Sequence, residues 1–97
     1  MSSRLTRLLG LGVRAGNVVI GVAGVRAGLQ RGKVVCVVLA QDAGERTMEK
    51  VTRLAEAKGI PVLRGPVATE LGTALGKPPV QAVGVSDRAL AQGLMEE

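Results

Sequence analysis

The feature that most constrains the fold is an uninterrupted apolar run at residues 34–40, VVCVVLA, in a chain of 97 residues. Valine dominates the run, and β-branched runs of this kind are typical of a strand that is covered on both faces. Such a strand needs helices above and below it, which favours an α/β sandwich over a β-sandwich. The run ends in Gln41 and Asp42, at the carboxyl end of the strand, where open α/β sheets place binding sites.

The length predicts a single domain over residues 1–97, with one hydrophobic core. The hydrophobic share is 46%, but every apolar run is much shorter than the roughly 20 residues of a membrane span. No secretory signal pattern opens the chain, so we expect a cytoplasmic protein without a membrane partner. Cys36 lies inside the apolar run, and we expect a small buried side chain there rather than a reactive or paired thiol.

The residue types that are missing exclude several functional classes. Without Phe, Tyr or Trp, the chain has no rings on which RNA-recognition motifs and many OB folds stack bases. Without His, it lacks the commonest general base and metal ligand. We therefore expect no enzyme, no catalytic or metal-ligating residue and no cofactor, and we interpret Asp42 as a helix cap rather than a general base. The glycines at residues 10–16 form GxGxxxG with no preceding strand, so they are not a dinucleotide fingerprint.

The formal net charge of +5 is distributed unevenly along the chain. Residues 1–41 contain six basic residues and no acidic one, whereas residues 42–97 contain seven basic and eight acidic residues. This asymmetry indicates a positive field directed at a polyanion such as a nucleic acid. The alternative is that the arginines only keep the protein soluble. The basic residues of the first part are Arg4, Arg7, Arg14, Arg26, Arg31 and Lys33.

Hydrophobic periodicity predicts the element order αβαβαβαβα. The first helix is amphipathic, with an N-cap at Ser2 and Ser3. Three of its arginines share an exposed side, which either faces phosphates or is simply solvated. A short strand at residues 17–21 and a helix at residues 22–31 follow, with Gly21 at a helix N-terminus that favours an anion.

The second half of the chain continues the alternation. A capping box of Asp42 and Glu45 opens the third helix, which contains a Glu49–Arg53 pair and ends at Gly59. The sequence then predicts a strand at residues 60–63, a helix capped by Thr69, a stiff loop of one lysine and two prolines, a strand at residues 80–85 and a helix capped by Ser86 and Asp87.

Several motifs resemble the kink-turn-binding ribosomal-protein family, the L7Ae/L30e group. They are LAQDA at residues 39–43, GIPV at 59–62, ELGTALGKPP at 70–79 and VGVSD at 83–87, and the opening residues 9–19 are similar to its bacterial YlxQ-type branch. The resemblance covers nearly the whole chain. It implies a three-layer α/β/α sandwich with a four-stranded mixed sheet, in agreement with the element order.

The same resemblance implies RNA binding through three adjacent loops, hence a ribonucleoprotein with a role in translation and possible ribosome association. Carried over by position, the RNA-binding residues are Gly21, Val22, Ala23, Arg26, Gln41, Asp42, Leu75, Gly76, Lys77, Pro78 and Pro79. We expect Arg14, Arg31 and Lys33 to extend the positive field at the same rim.

The chain departs from the Gly-x-Asn-Glu-x-x-Lys signature of kink-turn binders. Gly21 is retained, but Ala23, Gly24 and Ala27 replace the three polar residues. Arg26 lies one residue before the lysine position, about 100° around the helix from it. Because base-edge contacts carry discrimination and phosphate contacts carry position, we expect an RNA-binding accessory protein with weakened base readout. The alternative is a protein-interaction or dimerisation module with an apolar patch of Val22, Ala23 and Val25. The oligomeric state stays open.

Overall fold

The computed structural model describes residues 3–96, and its elements confirm the predicted order. They are α1 (Ser3–Ala15), β1 (Val18–Ile20), α2 (Val22–Gln30), β2 (Cys36–Ala40), α3 (Glu45–Ala57), β3 (Val62–Gly65), α4 (Ala68–Leu75), β4 (Ala82–Val85) and α5 (Arg88–Met95). The predicted N-cap of the first helix involves Ser2, outside the described residues.

The sheet has four strands in the order β1-β4-β2-β3. Strand β4 lies antiparallel to both neighbours, with Val83 opposite Ile20 on one side and opposite Val38 on the other. Strands β2 and β3 are parallel. The sheet is therefore mixed, and β2 is a central strand whose residues are all buried, as the apolar run predicted.

Two hydrophobic cores, where the chain length predicted one, lie on opposite faces of the sheet. One joins the sheet to α1, α4 and α5, and the other joins it to α2 and α3. Side chains of β2 alternate between them, with Val38 in the first core and Val37 and Leu39 in the second, because successive residues of a strand point to opposite faces. This is the three-layer α/β/α sandwich that the resemblance implied.

Cys36 is fully buried in β2, as expected of a small core residue. Burial raises the pKa of its thiol from the ordinary value of 9.0 to about 11, because the thiolate would lose its hydration. Among residues 3–96, no helix combines the length and the hydrophobicity needed to cross a bilayer.

Four local predictions are wrong, and one concerns β3, which runs over Val62–Gly65 rather than over residues 60–63. Helix α3 has Gly44 as its N-cap with no side-chain cap, so the capping box of Asp42 and Glu45 does not form. Helix α4 begins two residues earlier than predicted, after Val67, so Thr69 lies inside the helix and is not its cap. The last strand begins at Ala82 rather than at residue 80, since the proline loop extends up to it. The cap at Asp87 is confirmed.

Candidate nucleic-acid interface

Four connections of the chain meet at one end of the sheet. Strands β1, β2 and β3 end there, and the antiparallel β4 begins there. The N–H of Gly21 donates to the carbonyl of Ala82 at 2.9 Å, and the N–H of Ala40 donates to the carbonyl of Gln81 at 2.9 Å. We call this end the loop edge and define it as residues 20–22, 40–44, 65–68 and 77–82.

Asp42 joins two of these connections through its side chain. Its Oδ1 accepts the N–H of Ala68, the first residue of α4, at 2.8 Å. The carbonyl of Ala68 in turn accepts the N–H of Val80 at 3.0 Å, and the N–H of Gln41 donates to the carbonyl of Pro66 at 3.2 Å. Asp42 therefore accepts the first amide of α4, and not the amide of Glu45 at the start of α3 as predicted. It ties the β2–α3 turn to the helix that precedes the proline loop.

Two residues of the loop edge were missing from the sequence-based set. The Oε1 of Gln81 accepts the N–H of Gly44 at 3.3 Å, so this side chain bridges the start of β4 and the start of α3. Pro66 lies in the β3–α4 connection, beside Gln41. Both residues could have been predicted from the sequence, because each lies next to an end of an apolar strand. Pro66 follows the carboxyl end of β3, and Gln81 precedes β4.

The start of α2 presents free backbone donors at the loop edge. Gly21 is its N-cap with φ 100° and ψ 155°, in a region that favours glycine. Because Gly21 has no side chain, it provides no oxygen for the amides of the first turn. Such amides and the helix dipole together favour an anion. Arg26 is exposed one turn further along α2.

The loop after α4 is held against that helix by backbone contacts. Gly76 ends the helix with φ 70° and ψ 35°, and the N–H of Lys77 donates to the carbonyl of Gly72 at 2.8 Å. The carbonyl of Pro78 lies where a Cβ at residue 72 would be, so only glycine fits there. As a result, Lys77, Pro78 and Pro79 are exposed on the surface.

Not every residue predicted for the interface reaches it. Leu75 is buried in the core at 5% exposure, and its side chain is not available to a ligand. Arg31 and Lys33 are exposed, but they lie between α2 and β2, at the opposite end of β2 from Gln41. Arg14, in the last turn of α1, likewise precedes β1 and lies away from the loop edge. These basic residues therefore do not form the single rim that was expected. Each successive helix or strand takes the chain to the opposite end of the sheet.

Residues 3–94 match the Ribosomal protein L7Ae/L30e/S12e/Gadd45 family. The chain belongs to this family. A search of the curated proteins finds no match. Among solved structures, a Bacillus halodurans protein with unknown function is 32% identical with a TM-score of 0.93, covering 97% of this chain and 95% of that one. The Giardia lamblia 15.5kD RNA binding protein is 25% identical with a TM-score of 0.80, covering 98% of this chain and 82% of that one.

The start of α2 is where the resemblance implied a departure from the kink-turn signature. Ala23 is exposed, so a longer polar side chain would fit there. At Gly24, an added Cβ would lie 2.5 Å from Cγ1 of Val19, so α2 packs too closely on β1 for a larger residue unless Val19 moves. Val25 is fully buried, and the apolar surface patch expected of Val22, Ala23 and Val25 therefore does not form.

Proposed function

We propose that this protein is an RNA-binding accessory protein that uses its loop edge to bind structured RNA, ribosomal or kink-turn-like, with weak discrimination between bases. The observation that carries the proposal is the assembly of the α2 N-terminus, the β2–α3 turn and the lysine-proline loop at one end of the sheet, linked by backbone hydrogen bonds and by the Asp42 side chain. Membership of the family and the similarity to the Giardia lamblia RNA-binding protein support it.

In this proposal, phosphates and not base edges provide most of the affinity. The free amides after Gly21 and the ammonium of Lys77 are donors to phosphate oxygens, and Arg26 adds a planar group that suits phosphate. The positions at which a kink-turn binder has side chains for base edges contain Ala23, Gly24 and Ala27. RNA shape, presented to a fixed edge, then decides which RNA binds. Asp42 positions the edge through its bond to Ala68 and has no catalytic role.

The test is a titration against a kink-turn RNA and a plain duplex of the same length at several salt concentrations. We expect tighter binding of the kink-turn RNA, with a log Kd that rises steeply with log salt because bound phosphates release counterions. Absence of binding at about 50 mM salt, or a salt slope near zero, would contradict the proposal. Failure to bind RNA together with self-association in sedimentation would support the alternative of a dimerisation module.

A gain-of-function variant tests the claim of weakened readout. Ala23→Asn restores one polar residue of the signature at an exposed position, where it costs the fold little. We expect the preference for kink-turn RNA over duplex to increase roughly tenfold, within the range of a good side-chain contact to a base. Ala89→Asn, at an exposed position in α5, is the matched control and should leave the preference unchanged. An equal effect of both substitutions would count against base readout at position 23.

A further inference from the structure

The outer face of α1 is cationic over its whole length. Arg4, Arg7, Leu11 and Arg14 are exposed, and α1 contains no acidic residue. Arg7 and Arg14 are seven residues apart, so they project from nearly the same side of the helix, about 10 Å apart along its axis. This face carries more positive charge than the loop edge, which contains one lysine and one aspartate.

A groove separates α1 from α4, and these arginines form one of its walls. The two helices pack closely, since a Cβ at Gly10 would lie 3.4 Å from the carbonyl oxygen of Ala74. The groove is lined by Arg7, Arg14, Leu11, Thr73 and Gly76, among others. Gly76 is the residue directly before Lys77, so the groove borders the start of the lysine-proline loop.

The charges in this groove are not neutralised by the protein. Among residues 3–96, the ion pair that the structure contains is Glu49 with Arg53, on the opposite layer of the sandwich. The adjoining groove is lined by one acidic residue, Glu70, together with Thr73. Arg7 and Arg14 are therefore available to an anionic partner. Two guanidinium groups on one side of a helix suit phosphates of a nucleic-acid backbone, since each binds a phosphate with two parallel hydrogen bonds.

We propose that the groove between α1 and α4 is a second RNA-contact surface, on which Arg7 and Arg14 bind the phosphate backbone of a stem that extends from the RNA held at the loop edge. This inference rests on the proposed function, because the groove opens at the lysine-proline loop. The occupant is RNA and not an acidic protein helix, because the groove is continuous with the proposed RNA-binding loop and its donors are arginines. The proposal predicts that the protein contacts a longer stretch of RNA than the loop edge alone would reach, and that the additional contacts do not depend on the RNA sequence.

The experiment compares two probes and two double variants. One probe is a kink-turn RNA with both stems cut back close to the bend, and the other is the same RNA with long stems. R7Q combined with R14Q removes two charges from the groove, whereas K50Q combined with K58Q removes the same charge from α3, on the other face of the sheet. Circular dichroism checks that both variants remain folded, since all four side chains are exposed.

We expect the wild type to bind the long-stem RNA more tightly and with a steeper salt slope than the short-stem RNA. R7Q with R14Q should weaken binding of the long-stem RNA roughly tenfold and reduce its salt slope by about 2, one for each lost phosphate contact. For the short-stem RNA, R7Q with R14Q should change the affinity no more than K50Q with K58Q does. The latter variant measures the effect of net charge alone.

Two results would overturn the inference and leave the proposed function intact. One is a wild type that binds both RNAs with the same affinity and salt slope. The other is an equal loss of long-stem binding in both double variants, which would make the effect one of net charge. A wild type that does not bind even the short-stem RNA would instead contradict the proposed function.

Discussion

Replacing Gly72 by alanine tests the contact that fixes the lysine-proline loop. Gly72 is a buried residue of α4, and its added Cβ would overlap the carbonyl of Pro78 and lie 2.8 Å from the carbonyl oxygen of Lys77. Both obstacles are backbone atoms. No change of side-chain rotamer relieves the overlap, so either the loop or the helix has to shift.

The expected cost follows from two opposing effects. Alanine is the better helix former, and in an open helix the substitution would stabilise the protein by about 1 kcal/mol. Forcing an extra methyl group into a closely packed site costs about 1–3 kcal/mol, and the upper half of that range applies where backbone must move. The free energy of unfolding should therefore fall by about 1–2 kcal/mol. The displaced loop should also weaken RNA binding, because Lys77 would leave the loop edge.

Urea unfolding of Gly72→Ala and Gly93→Ala measures this effect against a matched control. Gly93 lies inside α5, and its added Cβ would lie 3.6 Å from Cδ1 of Leu8, an ordinary van der Waals contact. Gly93→Ala should therefore raise the unfolding midpoint, while Gly72→Ala lowers it by about 1 M. A Gly72→Ala protein as stable as Gly93→Ala, with the RNA affinity of the wild type, would refute the account of this loop.

Two further predictions concern Asp42 and Cys36. Asp42→Ala and Asp87→Ala each remove a carboxylate that accepts a helix amide at 2.8 Å, so each should cost about 1 kcal/mol in urea unfolding. Only Asp42→Ala should also weaken RNA binding, since Asp87 lies at the other end of the sheet, and equal RNA affinities would count against the loop edge. The pKa of Cys36 is raised to about 11, so the folded state keeps this proton more tightly than the unfolded state. The stability that this difference in pKa contributes is complete below pH 9 and is lost as the pH rises towards 11. The free energy of unfolding of Cys36→Ala should lack this loss between pH 9 and 11.

The sequence predicted the features that depend on neighbouring residues. Strand β2 was predicted because burial on both faces requires an apolar side chain at every position, and all of its residues are buried. The cap of α5 was predicted because Asp87 and the amide of Leu90 lie three residues apart. Asp42 has the same local signature. Its donor, Ala68, lies 26 residues away, and spacing along the chain does not reveal such a pair.

The candidate site was predicted less completely than the fold. The resemblance supplied three of its loops. The fourth connection, which contains Pro66, lies beside Gln41 because β2 and β3 pair in parallel. The distribution of charge along the chain misled for a different reason. A count of basic residues does not say at which end of the sheet they lie. Arg31 and Lys33 precede a strand whose carboxyl end carries Gln41, and that order already places them at its far end.

The central position of β4 has a consequence for how the molecule is made. Strand β1 pairs with β4 and with no other strand of the sheet, and β4 is the last strand in chain order. Synthesis proceeds from the amino terminus, so β2 and β3 leave the ribosome before β4 and can pair with each other. Strand β1 has no partner until residues 82–85 have been made. Pairing of β4 with both neighbours closes long loops, so nascent chains arrested before residue 82 should leave β1 without its hydrogen-bonding partner.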